Sequence, residues 1–179
     1  MEKSGYIPKD QRKKILLITD DIRTSSGVGG VGRETILNTC HAFNWVCIGG
    51  AINHPESGKR IDLSQDTGNQ AGVADASVIL YPTNGYGNPN LLRQIINIES
   101  PNALFLITDP RYFAWIFQME NEIRKKMPIT YLNIWDSLPI PFYNTEFYES
   151  CDLLMGISKQ TVHINKTCLE SANIPYVQI

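Results

Sequence analysis

The chain has 179 residues, 42% of them hydrophobic, and a formal net charge of −2 at pH 7. That length and apolar content suit one domain with a closed core, and the near-neutral charge gives no reason to expect nucleic acid or an anionic membrane as partner. The N-terminus Met-Glu-Lys-Ser-Gly-Tyr-Ile-Pro carries no apolar signal region, and no apolar run reaches the roughly 20 residues of a membrane span, so a cytoplasmic protein is expected.

The first predicted strand covers 14–19, as Ile15-Leu16-Leu17-Ile18-Thr19 primed by Lys13 and Lys14. After it comes a glycine-rich turn, Ser25-Ser26-Gly27-Val28-Gly29-Gly30-Val31-Gly32-Arg33, and then a helix near 30–42 expected to bury Gly32, Ile36, Cys40 and Phe43. Strand, glycine turn and helix N-terminus together aim backbone N–H groups and the positive end of a helix dipole at one point, which suits a phosphate or carboxylate. Gly27, Gly29 and Gly32 satisfy G-x-G-x-x-G, but the context argues against a dinucleotide site. Residues 20–26 intervene between strand and first glycine, and the second strand, Trp45-Val46-Cys47-Ile48, ends in Gly49-Gly50-Ala51 without the ribose-binding carboxylate. No Gly-Lys-Ser/Thr closes the loop, so it is no Walker A motif. Glycines that serve close packing alone are the alternative.

Further strands are predicted near 45–49, 77–82, 103–108, 129–134, 153–157 and 175–178, and further helices near 89–99, 111–126, 144–150 and 159–172. Runs such as Val78-Ile79-Leu80-Tyr81 and Ala103-Leu104-Phe105-Leu106-Ile107 are apolar without alternation, as strands covered on both faces must be. The polar stretch 53–72 reads as a surface excursion, with Arg60-Ile61-Asp62-Leu63 as a short edge strand. The expected class is α/β, a Rossmann-like three-layer sandwich around a mostly parallel sheet of about seven strands with right-handed crossovers. Cys40, Cys47, Cys151 and Cys168 show no metal-ligand or disulfide spacing and read as reduced thiols packed as small apolar groups. His41, His54 and His163 are scattered, so no metal site is read.

Ligands of open α/β sheets bind outside the carboxyl ends of the strands, and those ends are polar here. They carry Asp20-Asp21, Thr83-Asn84-Gly85-Tyr86-Gly87-Asn88, Thr108-Asp109-Pro110-Arg111-Tyr112, Trp135-Asp136-Ser137 and Ser158-Lys159-Gln160-Thr161. Carboxylates, amides, hydroxyls and aromatic rims on one edge would suit a carbohydrate or other polyol. Singly each has a plainer role: Asp109 and Ser158 as helix caps, Asn84-Gly85 as a turn, Trp135 as core.

In order, these features resemble the N-terminal domain of a GT-B glycosyltransferase, most like the retaining family four. The resemblance covers 13–179 and rests on the Gly-Gly-Val-Gly-Arg turn, on Ile107-Thr108-Asp109-Pro110, and on Ser150-Cys151-Asp152-Leu153-Leu154-Met155-Gly156-Ile157-Ser158-Lys159. It implies a sugar transferred from a nucleotide-sugar co-substrate to an acceptor hydroxyl, without a metal or other cofactor. The amides of Gly29 and Gly30 would face the donor diphosphate. Asp109 and Asp136, with Trp135, would lie beside the transferred sugar or acceptor hydroxyl as the catalytic carboxylates, and Asn84, Tyr86, Arg111 and Ser158 would shape the acceptor pocket. Where the family often has a histidine at the end of the fifth strand, this chain has Trp135-Asp136.

The resemblance further implies an N-terminal extension over 1–12, an acceptor-side domain over 13–179, and a second, donor-binding domain with a Glu-x7-Glu motif that these 179 residues do not contain. The expected partners are therefore a nucleotide sugar, a carbohydrate or other hydroxyl acceptor, and a donor domain in the same or another chain. Without it, the chain alone is expected to be inactive. Two alternatives come from other classes: a non-catalytic sugar-binding or assembly module, and a nucleotide-dependent oxidoreductase or epimerase. Arg124-Lys125-Lys126 could dock a lipid-acceptor transferase on a membrane, but three charges closing a helix before Pro128 are more simply a dipole pairing.

Overall fold

The computed structural model describes residues 4–51, 53 and 55–175. The chain is α/β and Rossmann-like, a seven-stranded, mostly parallel sheet flanked by helices. The elements are β1 (Lys13–Asp20), α1 (Gly27–Thr39), β2 (Phe43–Gly50), β3 (Ile61–Asp62), α2 (Ser64–Ala71), β4 (Val78–Pro82), α3 (Pro89–Glu99) and β5 (Ala103–Ile107). They continue with α4 (Ala114–Phe117), α5 (Glu120–Arg124), β6 (Ile129–Asn133), α6 (Thr145–Glu149), β7 (Leu153–Gly156) and α7 (Lys159–Ser171). Strand order is β3-β4-β2-β1-β5-β6-β7. The strand expected over 175–178 lies, beyond Pro175, outside the described residues. Among the described residues no helix is long and apolar enough to cross a membrane. The chain divides into two compact units, Met1–Leu104 and Phe105–Ile179.

In the first unit, β1 pairs with β2 in parallel from Lys13↔Phe43 to Asp20↔Gly50, and β2 pairs with β4 from Trp45↔Val78 to Gly49↔Pro82. The apolar centres of these strands are buried, as their unbroken apolar character requires: Leu16, Leu17, Ile18, Cys47, Ile48, Val78 and Leu80 are all inaccessible. The short β3 joins β4 antiparallel at the sheet edge, where the sequence placed an edge strand. Helix α1 begins three residues earlier than predicted because Ser26 caps it, its hydroxyl oxygen accepting the Gly29 N–H. Gly32, Ile36 and Cys40 are buried, but Phe43 opens β2 and is exposed, since the helix has already ended at Thr39.

The stretch 53–72 is not wholly a surface excursion. It contains α2, which buries Thr67 and Gly68 and ends on Gly72 in the left-handed conformation. Its sequence, Ser-Gln-Asp-Thr-Gly-Asn-Gln-Ala, offers no apolar periodicity, so the helix left no hydrophobic signal. Residues 6–12 are tied down through Asp75, which accepts from the Tyr6 hydroxyl at 2.8 Å, the Lys9 N–H at 3.1 Å and Arg12 Nη2 at 2.6 Å.

In the second unit, β6 and β7 pair in parallel from Thr130↔Leu153 to Asn133↔Gly156. The continuous helix expected over 111–126 is instead a 3-10 turn (Pro110–Phe113) followed by the short α4 and α5. These pieces still bury one apolar face through Phe113, Ile116, Phe117 and Ile123. Aromatic rings fill the core: Phe117 stacks on Phe147 at 5.1 Å and meets Tyr131 edge-on at 6.5 Å. The helix expected over 144–150 is α6, led in by a 3-10 turn (Phe142–Asn144).

Candidate functional site

The first unit gathers its polar groups at the carboxyl ends of β1, β2 and β4. Asp20 closes β1 and is buried. One of its carboxylate oxygens accepts from the Tyr86 hydroxyl at 2.7 Å, the other from the Ser26 hydroxyl at 2.7 Å. Asp21, also buried, clamps Arg23: its Oδ1 accepts from the Arg23 N–H and Nε, its Oδ2 from Nη2 at 2.8 Å. Arg23 then reaches Glu56 at 3.0 Å. The hydrogen bonds to Asp21 hold the Arg23 guanidinium above its ordinary pKa, burial opposing and Glu56 assisting. The loop after β4 is pinned over the end of β2, with the Ala51 N–H on the Gly85 carbonyl at 2.8 Å and the Thr83 N–H on Gly49 at 2.9 Å. That approach is open only to glycine at position 50, where a Cβ would stand 2.2 Å from the Gly85 carbonyl oxygen.

The glycine turn is resolved residue by residue. The Gly29 amide is spent on the Ser26 hydroxyl at 2.8 Å and the Gly30 amide on the Ser26 carbonyl at 2.9 Å, so neither of the two predicted donors is open to a ligand. The orphan donors of the first turn are those of Gly27 and Val28. Gly29 is a packing glycine: a Cβ there would lie 2.8 Å from the Asp21 carbonyl and 2.9 Å from the Ser26 and Thr24 hydroxyls. Gly27 and Gly30 are different. A Cβ on either would meet nothing within 4 Å, so packing within the chain does not demand a glycine at either position. Each costs about 0.5–1 kcal/mol of helix stability relative to alanine. The first turn of α1 carries no acidic residue, which leaves its dipole uncompensated from within the helix.

The second unit holds a pocket of about 240 Å³ lined by Asp109, Arg111, Asn133, Ile134, Trp135, Asp136 and Ser137. It brings together four predicted residues: Asp109, Arg111, Trp135 and Asp136. Asp109 caps the 3-10 turn, accepting the Arg111 N–H at 2.9 Å, and both its oxygens accept from the Arg111 guanidinium. The Arg111 guanidinium carbon in turn lies 5.1 Å above the Trp135 ring. Asp109 is thus a partner that aims Arg111 rather than a carboxylate open to a reacting atom. The Asp136 carboxylate is exposed and accepts only from Ser137 at 3.1 Å. Ser158 stays outside the lining; it caps α7, accepting the Thr161 N–H at 3.1 Å.

The backbone beneath the pocket is held at several points. Asn133 Oδ1 accepts the Trp135 N–H at 3.0 Å, Thr161 donates to the Trp135 carbonyl at 3.0 Å, and Gln160 donates to the Asp136 carbonyl at 2.9 Å. The Trp135 indole N–H closes on the Ser137 carbonyl at 2.9 Å. Asn133 is itself buried and held by Asn165 at 2.6 Å and the Tyr131 hydroxyl at 3.3 Å. The loop is therefore fixed before any ligand arrives, leaving Asp136, the outer edge of Arg111 and the Trp135 ring on offer. Asn133 escaped the sequence reading because it ends an apolar strand; an amide at that position was the only signal.

Among the described residues no cluster of His, Cys, Asp and Glu could hold a metal ion. Comparison with protein-family models, curated proteins and solved structures finds no match.

Proposed function

We propose that this chain is the acceptor-side, Rossmann-like part of a glycosyltransferase. The observation that carries the reading is the bare first turn of α1: Gly27 and Gly30 lack side chains where the chain itself has room for them, next to two orphan N–H groups in a first turn that carries no acidic residue, the nearest placed carboxylate being Asp20 on the Ser26 hydroxyl. Helix stability is given up there, and close approach of an anionic group such as a nucleotide diphosphate is what the bareness admits. The fold class and the polar strand ends support the same reading, as does a pocket in the second unit that combines an aromatic ring, a guanidinium and an exposed carboxylate. A lone carboxylate and aimed donors suit the positioning of a hydroxyl acceptor, with catalysis resting on orientation and charge stabilisation. Completion by a donor-binding domain is part of the proposal.

A second reading, a sugar-binding module without chemistry, is favoured by one observation: Asp109, expected as catalytic, is consumed by Arg111.

The test is calorimetric titration of the chain with UDP-, GDP- and ADP-sugars and with NAD(H), alongside Gly30→Asp. Because that position is open, the variant folds, and an acidic residue near a helix N-terminus adds stability. Binding of one nucleotide sugar, lost in Gly30→Asp, supports the transferase reading. Binding of NAD(H) overturns it, and nucleotide-sugar binding that Gly30→Asp leaves intact overturns the assignment of the diphosphate to this turn.

A further inference from the structure

The pocket of the second unit does not end in a polar rim. Tyr112, Leu138, Phe142 and Tyr143 expose 58%, 67%, 53% and 64% of their surfaces, large apolar groups spent on solvent within one unit. The exposure is built in. Pro141 and Asn144 are buried and anchor the 3-10 turn, Asn144 donating to the Tyr148 hydroxyl at 3.3 Å, so the two residues between them are turned outward. Tyr143 meets the Trp135 ring edge-on at 6.0 Å, which makes its ring continuous with the pocket wall, and Phe142 precedes it in the same 3-10 turn.

Size and chemistry then decide what lies on these rings. At about 240 Å³ the cavity falls below the roughly 300–1,000 Å³ of pockets that enclose a drug-sized ligand, and suits a single saccharide ring. A pyranose has apolar C–H faces and a belt of hydroxyls. The faces stack on aromatic rings, and the belt bonds to a carboxylate, a guanidinium and a serine hydroxyl, which Asp136, Arg111 and Ser137 supply. Three of the four exposed residues are flat rings and two carry hydroxyls, a surface matched to further sugar rings better than to an acyl chain.

We propose that the acceptor is an oligosaccharide of at least two rings, one held in the pocket and the next stacked on Tyr143 and Phe142. This rests on the proposed glycosyltransferase reading, or on its sugar-binding variant, and names the acceptor class of that site.

The experiment is binding of the full chain to an array of neutral hexose and N-acetylhexosamine glycans of one to four rings, followed by calorimetry on the best series. Members of two or more rings should bind about tenfold tighter than their matched monosaccharide. Phe142→Ser with Tyr143→Ser should bring the longer glycans down to the monosaccharide's affinity, while Asp136→Asn should weaken every length. Equal affinity for one ring and for several overturns the extension and leaves the sugar pocket standing. Silence across the array overturns both. Self-association by light scattering that the double variant abolishes, with no gain from glycan length, assigns the rings to a second copy of the chain and overturns the proposal.

Discussion

Ser26 and Gly29 hold each other: the serine hydroxyl oxygen accepts the Gly29 N–H at 2.8 Å, and a Cβ at position 29 would lie 2.9 Å from that same oxygen. The cap works only if residue 29 is glycine, and the glycine amide is buried in the cap. Gly29→Ala should therefore destabilise the chain by about 1–3 kcal/mol, the range for overpacking against fixed atoms. Gly27→Ala and Gly30→Ala, with nothing within 4 Å, should each stabilise it by roughly 0.5 kcal/mol. Urea unfolding of the three variants checks the sign reversal; a Gly30→Ala that destabilises as Gly29→Ala does would show that the first turn is packed against something after all.

Ser26 also donates to Asp20, which takes its other hydrogen bond from Tyr86. Ser26→Ala removes a cap and leaves a buried carboxylate oxygen without its donor, so its cost should approach about 2 kcal/mol rather than the ~1 kcal/mol of a surface cap. Tyr86→Phe removes the other donor without touching the cap. If Asp20 is the common element, the double variant should cost measurably more or less than the sum of the singles, and strict additivity would disprove the coupling.

Asn133 should behave as a positioning residue for the pocket. Its Oδ1 serves both the Trp135 N–H and the Tyr131 hydroxyl, and its amide nitrogen donates to Asn165. Asn133→Leu leaves the Trp135 N–H and the Asn165 Oδ1 without these partners and should cost about 2–4 kcal/mol. Asn133→Asp retains the acceptor for Trp135 while losing the donor to Asn165. Indole fluorescence of a chain carrying Trp135 alone, with Trp45 and Trp115 replaced by phenylalanine, should shift to longer wavelength in Asn133→Leu at urea concentrations where α7 remains folded.

What the sequence disclosed follows the physics of burial. Strands such as Val78–Pro82 are apolar because both faces are covered, so they announce themselves; the helix after β1 was legible, but its start lies three residues earlier, inside the glycine stretch. Helix α2 buries only Thr67 and Gly68 and so wrote no hydrophobic stripe, while the breaks between Pro110 and Arg124 change local geometry without changing which face is buried. At the site, residue types at the strand ends were legible, and Asp109, Arg111, Trp135 and Asp136 do line one pocket. Their assignments were not, because whether an aspartate faces a ligand or its neighbour two residues on depends on side-chain rotation. Asp109 turns to Arg111, and the amides of Gly29 and Gly30 turn inward.

Acid stability should depend on Glu99. Its carboxylate is buried, which alone would raise its pKa, but the Tyr81 hydroxyl at 2.8 Å, Arg60 at 2.9 Å and Lys14 at 3.2 Å outweigh burial and hold it below its ordinary 4.5. A carboxylate whose folded pKa lies below its unfolded value contributes stability above the unfolded pKa. That contribution is lost as pH falls through the folded one. The chain should therefore weaken progressively below about pH 4.5, with Asp75 adding to the same limb: burial raises its pKa, and Arg12 and Tyr6 more than offset it. Glu99→Gln should cost about 1–3 kcal/mol at pH 7 and flatten the urea midpoint between pH 3 and 5. An unchanged acid limb in that variant would reject Glu99 as its source.

Thiol chemistry offers a probe of local opening. Cys40, Cys47 and Cys168 are buried and Cys151 is half-buried, and all four are free. Burial pushes the Cys151 thiol up to about 12, Asp152 and Glu120 adding to the rise against the opposing charge of Arg124, and burial raises Cys47 and Cys168 as well. At pH 8 a thiol of pKa 12 is ionised to only about one part in ten thousand, and the thiolate is the reactive form. The native chain should resist iodoacetamide at pH 8 while the urea-unfolded chain titrates four thiols. Cys151 lies beside the start of β7, so if it alone reacts in native buffer, the segment between α6 and β7 opens independently of the core. Arg124→Gln removes the one charge that favours its thiolate and should slow that reaction further. Faster reaction in this variant would mean that the Arg124–Asp152 pair, 3.1 Å apart, guards the segment mechanically rather than through its charge.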